Sequence, residues 1–99
     1  MLVEFSVIPL GLGTDLAGPI AEVLQLVEAS GLSYKLTPMG TCVEGEWDEI
    51  MPLLKRCHDH LRGKTKRFFW NIRIDYKAGS TDMLMRHVQS VEEKAGRPS

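Results

Sequence analysis

An α+β fold follows from three observations on the 99-residue sequence. Four segments alternate apolar and polar residues with a period of two, and three others carry apolar residues at helical spacing. Glycine, proline or a capping residue stands at nearly every junction between them. The order is strand, helix, strand, strand, helix, strand, then a last helix. Two split strand–helix–strand units with right-handed crossovers close into one four-stranded antiparallel sheet carrying both helices on one face. The sequence therefore predicts a ferredoxin-like βαββαβ sandwich with an additional C-terminal helix, as a single domain over residues 1–99.

In the first strand, residues 2–9, Val3, Phe5 and Val7 alternate with Glu4, Ser6 and Ile8. Gly11, Gly13 and Gly18 break the chain, Thr14 or Asp15 is placed to cap the next helix, and Pro19 suits its first turn. Ile20, Val23, Leu24 and Val27 mark its apolar face, and Gly31 after Ser30 is the expected C-terminal stop. Leu32, Tyr34 and Leu36 alternate with Ser33, Lys35 and Thr37 as the second strand. A turn over Pro38–Thr41 leads to a third strand, Thr41–Glu44.

The second helix starts near Glu46 or Trp47, with Trp47, Ile50, Met51, Leu54, Cys57, His58 and Leu61 as its apolar side and Pro52 in its first turn or so. Glu46, Asp48 and Glu49 crowd that start, where capping and the helix dipole favour acids. Lys64–Arg67 is a basic connector. In the long fourth strand Phe68, Trp70, Ile72 and Ile74 alternate with Phe69, Asn71, Arg73 and Asp75. Ala78–Thr81 is a loop, Thr81 or Asp82 caps the last helix, and Leu84, Val88, Val91 and Ala95 stripe it. Residues 97–99 are expected to fray.

Helices cover one sheet face, so the other meets water, a ligand or another subunit. Strand parity puts the bulkier sets, Val3–Phe5–Val7 and Phe68–Trp70–Ile72–Ile74, toward the helices. Glu4, Ser6, Ile8, Phe69, Asn71, Arg73 and Asp75 then line the open side with Cys42 and Glu44, while Met39 and Thr41 fit either face. Ile8, Phe69 and Met39 are unfavourable in water, which points to a covered face, most simply by a symmetry mate, with the terminal helix as another cover. A pocket trapped there, with an aromatic wall and a few directed polar groups, suits a flat heteroaromatic ligand.

Twelve basic and thirteen acidic residues give a net charge of −1 and no general attraction to nucleic acid or membrane. The longest apolar run is far short of a membrane span, nothing resembles a signal peptide, and two cysteines make no disulfide framework, so a cytoplasmic protein is expected. In Cys57-His58-Asp59-His60, neighbouring helical residues point about 100° apart and do not converge on one metal ion. Gly11-Leu12-Gly13 lacks the spacing and lysine of a phosphate loop. No nucleophile–base pair is visible, so a binding module is expected rather than an enzyme.

Four stretches carry a resemblance: SVIPLGLGT, YKLTPMGTCVEGEWDEI followed by LLKRCHDHL, and RFFWNIRIDYKAG. Together they are similar to the small thiamine-binding protein family, in order and over nearly the whole chain, with LTPMGT…EGEWDE the most specific block. The resemblance implies a non-catalytic, cytoplasmic binder of thiamine or its hydroxymethylpyrimidine moiety, without a cofactor, assembled as homo-dimers or tetramers through sheet faces and helices. It carries pyrimidine contacts to Ser6, Thr41 and Glu44, with Met39 and Gly40 shaping the pocket. On the fourth strand the family pattern has small hydroxyl residues where this chain has Phe69, Trp70 and Asn71. Aromatics there either add a stacking wall or fill the pocket. The alternative to ligand binding is a structural or interaction protein whose sheet faces serve oligomerisation alone.

Overall fold

The computed structural model describes residues 1–79 and 81–96. The chain runs β1 (Leu2–Pro9), α1 (Ala17–Ala29), β2 (Ser33–Thr37), β3 (Gly40–Glu44), α2 (Trp47–Arg62), β4 (Phe68–Asp75) and α3 (Met83–Lys94). The sheet order is β2-β3-β1-β4 and every pair is antiparallel, which is the expected α+β sandwich with its extra helix. The expected fraying of residues 97–99 lies outside the described residues, as does Ser80 of the loop before α3.

Alternation decides which face each strand buries. Val3, Phe5 and Val7 of β1 and Val43 of β3 join Val23 and Val27 of α1 and Ile50, Leu53, Leu54, Cys57 and Leu61 of α2 in one core. Leu53 is fully buried although the expected stripe of α2 omitted it, and Trp47 and His58, which that stripe included, are exposed. Leu53 and Leu54 are adjacent and both buried, so the apolar face of α2 is wider than a strict three–four spacing. Pro52 is the sixth residue of α2, deeper than the first turn, and it removes the N–H that would bond the Asp48 carbonyl. Phe68 and Trp70 pack on the core edge, Trp70 against Phe5 with ring centroids 5.8 Å apart. Ile72 and Ile74 share that face by register, opposite Phe5 and Val3, yet are 42% and 44% exposed at the outer edge of the sheet.

The helix ends follow local chemistry with one exception. Asp15 accepts the Ala17 N–H at 3.1 Å, although Leu16 rather than Asp15 holds the cap position of α1. Glu49 accepts the Glu46 N–H at 2.9 Å, so these acids start α2 as expected. Gly31, at φ +74°, turns the chain out of α1 in a conformation other residues adopt at a cost.

The exception is α3. Neither Thr81 nor Asp82 caps it with a side chain: Asp82 occupies the cap position at φ +59°, outside the extended region from which a capping carboxylate reaches the first turn. The acceptor comes instead from β3, where Glu44 takes the N–H groups of Met83 (2.7 Å) and Leu84 (3.3 Å). Glu44 alternates with the core residue Val43, so the first turn of α3 docks on the face opposite α1 and α2. Met83 is buried there, outside the main core.

Candidate functional site

The site begins where a ladder stops. β1 and β3 pair from Leu2–Glu44 to Phe5–Thr41, and β3 then turns back through Pro38-Met39 into β2. The turn is one residue earlier than the sequence suggests. Thr37 donates its hydroxyl to the Gly40 carbonyl (2.9 Å) and accepts the Met39 N–H (3.3 Å), which fixes the hairpin. Gly40 lies so close to β1 that a Cβ there would stand 2.8 Å from the Phe5 carbonyl oxygen. That carbonyl therefore faces β3, and Val7, two residues on, presents its backbone N–H and C=O to the same side, past the end of the ladder.

The resulting notch is a cavity of about 340 Å³ between the end of β1, the hairpin and the start of α1. That volume is within the range of small-molecule sites. Of the seven expected site residues, Ser6, Met39, Gly40, Thr41, Glu44, Phe69 and Asn71, the lining includes all but Glu44 and Phe69. Sequence reasoning missed much of the apolar lining, including Leu16 at the cap of α1, Ile20 within that helix, and Leu36 and Pro38 of the hairpin. Ile20 lies on the expected helical stripe, yet it is 39% exposed and lines the notch.

Three polar side chains stand in this mostly apolar setting. Ser6 and Asn71 face each other across β1 and β4 on the open side of the sheet, while Thr41 shares the helix side with Val43 and is buried. None of the three side chains bonds a protein group among the described residues. Every buried side-chain oxygen or nitrogen described has a partner, so the Thr41 hydroxyl keeps its exposure through the notch. The site can therefore give and accept hydrogen bonds within a lining that includes Ile20, Leu36 and Val7. It opens at the end of the sheet and touches both faces, where the sequence pointed to the open face.

Glu44 and Phe69 lie outside this lining. Both carboxylate oxygens of Glu44 are engaged by α3. Phe69 sits opposite Ile8 with the Arg67 guanidinium 5.0 Å from its ring centre, and Trp70 packs against Phe5 at the core edge. Phe68, Phe69 and Trp70 of β4 thus all lie outside the lining and form no stacking wall within the notch. Further down the open face Glu4 and Arg73 pair across strands at 2.6 Å. Cys57, His58 and His60 diverge: Cys57 is buried and its thiol is pushed up to about 11 by desolvation, His58 edges onto Phe68, and His60 meets Glu22 at 2.6 Å. No group of three or more His, Cys, Asp or Glu among the described residues is placed to hold a metal ion.

Comparison with known proteins identifies the family. The sequence profile of a family described as thiamine-binding protein matches residues 3–92. The chain belongs to the thiamine-binding protein family. Within it, the UPF0045 protein Mb1933 of Mycobacterium bovis is 33% identical over 99 residues, covering 99% of this chain and 97% of that protein. The UPF0045 protein YqgV of Bacillus subtilis is 30% identical, with coverages of 93% and 94%.

Two solved structures superpose closely on this member of the thiamine-binding family. The hypothetical protein MJ1052 of Methanocaldococcus jannaschii gives a TM-score of 0.85 at 25% identity, over 93% of this chain and 95% of the other. A Thermotoga maritima protein, TM0486, provisionally described as a thiamine biosynthesis or salvage protein, gives 0.79 at 30% identity over 90% and 96%. No helix among the described residues is long and apolar enough to cross a membrane.

Proposed function

We propose that this chain is a non-catalytic, cytoplasmic binder of thiamine or its hydroxymethylpyrimidine moiety, working as a homo-oligomer and needing no cofactor. The observation that carries the reading is the apolar notch with three unpartnered polar side chains, Ser6, Thr41 and Asn71, in a chain of the thiamine-binding family. An aminopyrimidine is flat, with donors and acceptors on its edge, and it matches hydroxyls, an amide and the free backbone edge of Val7. Met39 and Gly40 form the hairpin rim. With Glu44 turned to α3, recognition rests on neutral hydrogen bonds rather than on a carboxylate. Leaving the buried polar groups of such a site unpaired is costly, which is how it discriminates between ligands.

The oligomer reading rests on apolar surface at two places. Ile8 and Phe69 are each about half exposed on the open face, and Val88 and Val91 of α3 stand in solvent. A second copy is the simplest cover for both. This observation alone also supports the alternative, an interaction protein whose faces serve assembly without a ligand.

Calorimetric titration of thiamine separates the two. We expect micromolar binding, weakened about tenfold or more by Thr41→Val and by Asn71→Ala. Heats indistinguishable from dilution in the wild type defeat the ligand reading, and a monomeric mass by light scattering defeats the oligomer.

A further inference from the structure

We infer that the basic loop after α2 forms a second ligand site, for a phosphate-bearing small molecule. Residues 62–67 read Arg-Gly-Lys-Thr-Lys-Arg and hold four of the chain's twelve cationic side chains. With a net charge of −1 overall, the remainder of the chain carries −5, so this loop is an island of positive charge. It forms one wall of a cleft of about 670 Å³, and Leu10–Leu12, just past β1, form the other. No acidic residue lines the cleft.

The wall is held by its own backbone. Lys64 and Thr65 donate their N–H groups to the Leu61 carbonyl at 2.9 and 3.0 Å, and the Leu10 N–H meets the Arg67 carbonyl at 2.9 Å. The Thr65 hydroxyl donates to the Leu10 carbonyl and ties the two walls together. The cations therefore project from a fixed frame.

Their own counter-charges are few. Lys64 reaches Glu22 at 3.9 Å, but Glu22 is already bonded to His60. Arg67 lies over Phe69, and Asp59, in the last turn of α2, feels the charge of Arg62 but is ion-paired with Lys55. Among the described residues no carboxylate comes within ion-pair distance of Arg62, Lys66 or Arg67. Like charges held together in a concavity focus a positive potential, and an anion with several oxygens relieves it. Phosphate oxygens suit a site combining arginine forks with lysine point charges. The cleft has the volume of a small-molecule site, and the acidic remainder of the surface disfavours a long polyanion.

Inorganic pyrophosphate is the probe, added to isotope-labelled protein at about 20 mM salt, where surface charge is little screened. Saturable amide shifts confined to residues 10–12 and 62–67 are expected, with affinity falling as salt rises. A Lys66→Ala, Arg62→Ala double variant should weaken binding about tenfold or more with an unchanged circular dichroism spectrum. If that variant misfolds, Lys66→Met alone serves, with a smaller loss in the same direction. Shifts reproduced by sodium chloride at equal ionic strength, or an affinity unaffected by the substitutions, overturn the proposal. Tighter binding of a single-stranded RNA oligomer than of pyrophosphate does so as well. Thiamine is absent from this titration, so its result is independent of the notch.

Discussion

The carboxylate of Glu44 stands 2.7 Å from the backbone nitrogen of Met83, the first residue of α3. One side chain from the sheet thus satisfies two N–H groups that the helix cannot satisfy itself, and sets a negative charge against its positive end.

Glu44→Ala should therefore loosen α3. The expected cost is about 1–2 kcal/mol, the size of a lost cap with its charge. Hydrogen exchange at the amides of Met83 and Leu84 should quicken more than exchange in the central strands. Thiamine affinity, by contrast, should move less than in Thr41→Val. A larger loss of affinity from Glu44→Ala than from Thr41→Val contradicts the placement of the site.

Gly40 tests the notch from its other wall. A methyl group there meets the Phe5 carbonyl oxygen at 2.8 Å, closer than contact allows, and both groups are backbone-anchored. Gly40→Ala must push β3 from β1 and should destabilise by about 1–3 kcal/mol in urea unfolding. Gly18→Ala, whose added carbon meets nothing within 4 Å, is the matched control and should be far milder.

The link between α1 and α2 makes a pH prediction. The hydrogen bond from His60, with the charge of Lys64 adding to it, holds the Glu22 carboxyl below its usual value of 4.5. A depressed carboxyl stabilises the fold above its unfolded value, and that contribution is lost as pH falls through the folded one. Stability should decline on acidification below pH 4.5, and His60→Ala should flatten that limb without steepening it. Urea midpoints across the acid range read this directly.

Thiol chemistry separates the two cysteines. Burial raises both, Cys57 to about 11 and Cys42 less, with Glu4 adding to the effect at Cys42. Cys57 has no exposed surface, whereas Cys42 is only partly covered. An aromatic disulfide reagent near pH 8 should modify Cys42 slowly and Cys57 only after denaturant is added. Two thiols reacting at equal rates in the native protein refute the packing of α2.

Much of this protein was legible in its sequence. Period-two alternation placed Val3, Phe5, Val7 and Val43 in the core, and glycines and acids marked the helix ends, because each of these signals acts between residues close in the chain. The resemblance around LTPMGT brought Ser6, Met39, Gly40 and Thr41 forward, and the fold does gather them with Asn71. What tertiary structure alone decided is where paired strands part and what then fills the gap. The notch exists because the β1–β3 ladder ends at Phe5–Thr41, and Leu16 and Ile20 enter it from another element. Glu44 looked like a ligand's carboxylate until α3, some forty residues later, presented two unsatisfied N–H groups to it. Which partner claims a polar side chain depends on distances between segments far apart in the chain, and local sequence pattern does not encode those distances.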